Sequence, residues 1–146
     1  CFPRSSFYHG RWIKHGEWSS DTVLRLIRNG KGMWSGPSVH EKIILNGRDE
    51  ILRNYMYHFP YQDISHHLAK FNRYSTLFAH DAFQRGERAD LYKILLKPIY
   101  RFIRGYFLKQ GFRDGSVGFI IASLQGIEVF LRYIKLRELH SRKVAP

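Results

Sequence analysis

The residues best suited to chemistry lie in Trp34-Ser35-Gly36-Pro37-Ser38-Val39-His40-Glu41-Lys42, with a further histidine, His58, in Tyr57-His58-Phe59. A carboxylate can take a proton from a hydroxyl, and an imidazole can orient it or hold a metal ion. His40-Glu41 is not a zinc-protease site, because that chemistry needs a second histidine four residues after the first on a helix, and position 44 is Ile44. The segment instead reads as the entry to a strand, where neighbouring side chains point to opposite faces. Taken alone, a glutamate beside a histidine is more often a satisfied surface pair than a catalytic one. Trp34 could offer a flat apolar face to a ligand, whereas Trp12 and Trp18 read as core. Arg25 and Arg28 could reach phosphate groups through charge-assisted bonds, or could form the charged edge of a strand. His66, His67 and His80 have no carboxylate or cysteine spacing that suggests a metal cage and read as structural.

The elements that would position these residues change character near Pro60. Before it, Asn29-Gly30 and Asn46-Gly47 each separate short apolar and β-branched runs, which predicts hairpin turns between strands over 23–28, 42–45 and 51–59. After it, Ile64, Leu68, Phe71, Phe78 and Ala82 recur at helical spacing, with Asp63 placed to cap the start and Gly86 to end it. Over 91–109, Lys93, Lys97, Arg101 and Arg104 fall on one stripe at ~100° per residue, while Leu91, Leu95, Ile99, Phe102 and Tyr106 face the other way. Pro98 either kinks this helix or begins a second one. A break over 111–118 precedes an apolar helix over 119–136, interrupted by Gln125 and Glu128. That is short of the ~18 uninterrupted apolar residues of a bilayer span, so the expectation is an interfacial or re-entrant helix. The organisation predicted is α+β: strands and loops over 1–60, a packing helix over 61–90, amphipathic interfacial helices over 91–138, and a flexible tail over 139–146.

With 44% hydrophobic and 16% aromatic residues the chain can build a core, which excludes a disordered tail. It begins Cys-Phe-Pro, without Met or the pattern of a signal peptide, and so reads as a piece of something longer. Its single cysteine, Cys1, excludes an internal disulfide and a thiolate zinc cluster and fits a reducing compartment. The net charge of +12 would attract anionic lipid, phosphorylated substrates or nucleic acid. Nucleic acid is the poorer match, because the face opposite the basic stripe is continuously apolar and offers no isolated stacking aromatics. Contact with an anionic membrane surface is the better reading of that face; the alternative is that it packs on the catalytic domain while the basic stripe faces water.

Phe7-Tyr8-His9-Gly10-Arg11-Trp12-Ile13-Lys14-His15-Gly16-Glu17-Trp18, Asp21, Leu24-Arg25-Leu26-Ile27-Arg28 and Val39-His40-Glu41 resemble successive blocks of bacterial family 2 glycosyltransferases that build the lipopolysaccharide core. The resemblance continues through Tyr57-His58-Phe59, Asn72-Arg73-Tyr74-Ser75 and Gly111-Phe112-Arg113-Asp114-Gly115, to about Leu136. It implies the GT-A fold, with 1–60 as the acceptor-side part of the catalytic domain and the donor-binding half, with its aspartate pair, upstream. By position in the blocks Glu41 inherits the role of general base, His40 orients the base or acceptor, and His58 becomes a ligand of a divalent metal, Mg²⁺ or Mn²⁺. The implied partners are a nucleotide sugar, a lipid-linked saccharide acceptor and an anionic membrane surface. Substrate binding would fall to Trp34, Arg25 and Arg28, and membrane contact to Lys93, Lys97, Arg101, Arg104, Phe102 and Tyr106. The implied location is the cytoplasmic face of the bacterial inner membrane. Ser19-Ser20-Asp21 departs from the Tyr-Pro-Asp that often follows the tryptophan in such enzymes. The competing reading is a non-catalytic basic module that binds anionic membrane or nucleic acid.

Overall fold

A computed structural model describes residues 1–19, 21–34 and 43–144. The chain divides into two compact units, Cys1–Lys14 with Trp18–Pro60, and His15–Glu17 with Tyr61–Pro146. The architecture is α+β, with short strands in the first unit and three helices in the second.

In the first unit, β1 (Phe2–Tyr8) is the organising strand. It pairs antiparallel with β2 (Arg11–Ile13), Phe7 opposite Trp12, and with β3 (Thr22–Val23), Phe2 opposite Val23. It also pairs in parallel with β6 (Met56–His58), Ser6 opposite His58. The tight turn from β1 to β2 uses His9 at φ 47° and Gly10 at φ 77°. Positive φ at both central residues is what a two-residue hairpin of matching twist requires. A separate antiparallel pair joins β4 (Gly32–Trp34) to β5 (Ile43–Leu45), Trp34 opposite Ile43.

The two Asn-Gly pairs are turns, but neither closes a hairpin. Gly30 has φ 74° and Gly47 φ 141°, yet residues 24–28 form no strand and β3 pairs with β1. The local hairpin signal loses to non-local pairing with β1, whose partner strands β3 and β6 come from well-separated parts of the chain.

In the second unit, α1 (Ile64–Gln84) starts where Asp63 accepts a 2.7 Å bond from the His66 amide on its Oδ1. This satisfies one of the free N–H groups of the first turn. His67, Phe71, Ser75, Ala79 and Ala82 are buried at helical spacing. The helix ends with Gly86 at φ 73°. The next helix, α2 (Leu91–Ile103), continues through Pro98 and runs into a π-helical turn over Arg104–Leu108, closed by the Lys109 amide on the Arg104 carbonyl at 2.8 Å. A 3₁₀ turn at Gly111–Asp114 leads into α3 (Gly115–Val144), which is longer at both ends than its apolar run suggests.

The core of this unit is Ala79, Ala82, Ile94, Tyr133 and Leu136. Lys135 crosses from α3 to α1, where its ammonium lies within 2.8 Å of the Asn72 carbonyl, Asn72 Oδ1, Ser75 Oγ and Thr76 Oγ1. Burial lowers its pKa, since these dipoles replace water without supplying a counter-charge. The helical stretch Gly111–Arg142 is long and apolar enough to cross a bilayer by length and composition, yet 44% of its apolar window is buried within the protein.

Two backbones touch at Gly118. A Cβ there would lie 1.8 Å from the Gly111 carbonyl oxygen and 2.8 Å from its carbon, so backbone rather than a side-chain tip would have to move. Gly118→Ala is expected to destabilise the protein by about 2–3 kcal/mol despite alanine's better helix propensity, read from the urea unfolding midpoint.

Candidate functional site

His40 and Glu41, the pair expected to be catalytic, lie outside the described residues. The strands on either side of it are in place: Trp34, the last described residue of β4, stands opposite Ile43 at the start of β5. Trp34 is 60% exposed, so its ring is available to a ligand. His58 sits on β6 with Nδ1 3.2 Å from Ser6 Oγ, which fixes the imidazole against the central strand. Among the described residues no group of three or more His, Cys, Asp or Glu could hold a metal ion. His58 thus stands without two further such ligands beside it among the described residues.

Arg25 and Arg28 both lie in the irregular stretch between β3 and β4, exposed to solvent. Arg28 lines a cavity of about 650 Å³ together with Lys31, Arg48, Asp49 and Glu50. Arg25 does not line that cavity; its charge, after burial itself, lowers the pKa of Arg4, which is ion-paired with Asp21.

Sequence reasoning missed an aromatic group on the sheet. Trp12 packs against Phe7 at 5.0 Å, Tyr57 at 4.9 Å and Phe59 at 5.8 Å between ring centroids. Tyr57 and Phe59 flank His58 in sequence and alternate with it in face, as strand geometry requires. They are 69% and 66% exposed, so the platform is open.

In the second unit, the basic stripe has a buried partner. Glu17, whose side chain is 8% exposed, faces Arg101 Nη1 at 3.3 Å and Lys109 Nζ at 3.1 Å on Oε2, and Arg104 Nε at 3.5 Å on Oε1. Lys97 donates to the Tyr133 hydroxyl at 2.7 Å and Lys93 to the Arg88 carbonyl at 2.8 Å. One carboxylate thus stands in ion-pair contact with three cations, leaving local positive charge in excess. The sequence signal for Glu17 was indirect: the stripe carries no acid of its own on 91–109.

The hydrogen bond to Tyr133 is the main cause that raises the Lys97 pKa. A lysine raised on folding contributes stability that is complete below its ordinary value of 10.5 and is lost as pH rises through the folded value. Tyr133→Phe should therefore cost about 1 kcal/mol at neutral pH, and the gap from the parent protein should close in alkaline unfolding measurements above that range.

The apolar side of α2 is not buried. Leu91, Leu95, Leu96, Ile99 and Tyr100 are each more than half exposed, as are Phe107 and Leu108 beyond them. Phe102 and Tyr106 are half-buried instead, stacked on each other at 5.5 Å with Phe119 edge-on to both at 5.7 Å. The helix therefore has three faces: one against α3, one basic, and one apolar and open.

The chain is 35% identical over 125 residues to the lipopolysaccharide core biosynthesis glycosyltransferase LpsC of Rhizobium meliloti, a match spanning 84% of this chain. The chain is a relative of bacterial glycosyltransferases. Uncharacterized glycosyltransferases of Rickettsia typhi and Rickettsia prowazekii are 27% and 26% identical to it over 108 residues, 70% of this chain. The chain spans less than half of these relatives, 46% of the Rhizobium protein and 37% of the two Rickettsia proteins. No family model and no solved structure matches it.

In this relative of glycosyltransferases, three of the blocks that carry the sequence resemblance have a structural job. Asp114, 1% exposed, accepts the His15 amide at 2.7 Å on Oδ2 and places Oδ1 3.2 Å from His15 Nδ1. The Gly111–Gly115 block thereby holds the His15-Gly16-Glu17 block. Asn72 and Ser75, in a third block, receive Lys135.

Proposed function

We propose that this chain is the acceptor-side portion of an inverting family 2 glycosyltransferase of the GT-A fold, working at the cytoplasmic face of the bacterial inner membrane. It moves a sugar from a nucleotide donor to a lipid-linked saccharide of the lipopolysaccharide-core type. The observation that carries this reading is the similarity to LpsC over 84% of the chain.

In this mechanism Glu41 takes the proton of the acceptor hydroxyl as its oxygen attacks the anomeric carbon from the face opposite the leaving diphosphate. His40 orients that carboxylate or the acceptor. Trp34 offers its open ring to the saccharide, and Arg25 and Arg28 supply charge-assisted bonds to phosphate. A divalent metal, Mg²⁺ or Mn²⁺, supplies charge compensation for the diphosphate when bound, with His58 as one of its ligands.

The open apolar face of α2 beside its basic edge supports attachment to an anionic membrane surface. Apolar side chains enter the headgroup boundary while lysines and arginines meet the lipid phosphates. Leu95→Asp with Ile99→Asp should lower flotation with vesicles containing anionic phospholipid at least ~10-fold, since burying each side chain is worth about 1.5–3 kcal/mol. Unchanged flotation would remove α2 from the membrane contact. The transfer itself is tested by incubating the full-length protein with radiolabelled sugar nucleotides and envelope lipids. Label should pass into the lipid fraction; label recovered only as nucleotide or free sugar would contradict the assignment.

A further inference from the structure

Beside Glu17 the second unit contains a small cavity lined largely by glycines. Gly16, Gly105, Gly111 and Gly118 line it with Glu17 and Gln125, and it has about 10 Å³ of room for a water centre. Gln125 is 6% exposed, and its Oε1 has no hydrogen-bond partner among the described residues. The same holds for Glu17 Oε1, which Arg104 approaches only to 3.5 Å. A buried acceptor without a hydrogen bond costs ~1–3 kcal/mol; the Arg104 ion pair at 3.5 Å leaves Glu17 Oε1 short of one, and with Gln125 Oε1 it calls for a shared donor.

The surroundings define what that donor is. Arg101, Arg104 and Lys109 all lie within 3.5 Å of the Glu17 carboxylate, and their charge would repel a metal ion or an ammonium group. The room matches the ~10–15 Å³ that one water needs and is too little for a second. Water is neutral, small enough, and carries two O–H donors.

We propose that one water molecule is bound inside the helical unit between Gln125 Oε1 and Glu17 Oε1, and that residue 105 is glycine to leave room for it. A Cβ at Gly105 would lie 3.6 Å from Gln125 Oε1, 3.6 Å from Glu17 Cγ and 3.8 Å from Ala122 Cβ, all ordinary contacts. Gly105 does not adopt a positive φ. Alanine therefore fits both the space and the backbone, in contrast to Gly111 and Gly118, where a Cβ would strike a carbonyl oxygen at 2.6 and 1.8 Å. Helix propensity alone predicts that Gly105→Ala stabilises the protein. The bound water predicts the opposite, because the methyl group takes its place and strands both acceptors.

The test is amide hydrogen exchange on the full-length protein, followed in peptides covering 104–109 and 117–126. Gly105→Ala should exchange about ten-fold faster than the parent, or more. Adding Gln125→Met, which keeps the length of the side chain and removes its acceptor, should restore protection towards the parental level. Protection in Gly105→Ala equal to or above that of the parent would overturn the proposal. Should Gly105→Ala fail to fold, a crystal structure of the parent protein that resolves ordered solvent decides the matter. A solvent peak within hydrogen-bond distance of both Oε1 atoms supports the proposal, and a Gln125 amide nitrogen donating straight to Glu17 with no solvent between them overturns it.

Discussion

Glu41→Gln in the full-length protein should lower sugar transfer by about 10²–10⁴-fold while leaving the affinity for the nucleotide sugar unchanged, the loss typical of removing a general base. Glutamine keeps the size and can still accept a hydrogen bond from the acceptor, but it cannot take the proton. The effect should therefore fall on kcat and leave acceptor KM nearly unaltered. His40→Ala should cost less, because a group that orients the base is one step removed from the proton. Near-normal transfer by Glu41→Gln would remove Glu41 from the mechanism and leave the role of base to another carboxylate.

Glu17→Gln should destabilise the helical unit by about 3 kcal/mol, the low end for a broken buried pair because Arg101, Arg104 and Lys109 are each about a third exposed. The substitution preserves shape and deletes the one negative charge shared by Arg101, Arg104 and Lys109. With the glutamate side chain only 8% exposed, the three cations would be left close together with no counter-charge. Added salt should recover part of the loss by screening. Replacing Glu17 together with Arg101, Arg104 and Lys109 by methionine should cost far less than Glu17→Gln alone, because a cluster removed whole leaves no unpaired charge. Urea unfolding followed by far-ultraviolet circular dichroism measures this order. A Gln variant within ~0.5 kcal/mol of the parent would mean that the ion cluster is solvated rather than structural.

The Glu17 cluster also marks the boundary of what sequence periodicity can reveal. Local signals were legible: Asp63 caps α1 as its place before the apolar run predicts, and the helical stripe over 91–104 exists. What periodicity cannot say is what faces each stripe. The basic stripe meets a glutamate some 84–92 residues away in sequence, and the apolar stripe splits, with Leu91, Leu95 and Ile99 more than half exposed while Phe102 and Tyr106 are half-buried. The strand half was harder to read because its pairing is non-local. Asn-Gly pairs drew attention to residues 29–30 and 46–47, while the hairpin that forms turns at His9-Gly10, where a histidine at φ 47° stands in for the usual asparagine. Of the candidate site, Trp34 lies on β4 and His58 on β6, in separate sheets, and Arg28 shares a cavity with Lys31 and Arg48, which no spacing rule joins to it. The aromatic platform around Trp12 was hidden for the same reason: its members come from β1, β2 and the end of β6, and only the sheet brings them together.

The stereochemistry of the transferred sugar tests the central claim most directly. Full-length protein would be supplied with an α-linked nucleotide sugar and a lipid-linked acceptor, and the anomeric proton of the first product would be followed by nuclear magnetic resonance. A single displacement driven by Glu41 as base predicts transfer with inversion, giving the β-linked product, lost in Glu41→Gln. A product that retains the α configuration, or no transfer to any lipid-linked saccharide, would contradict the account.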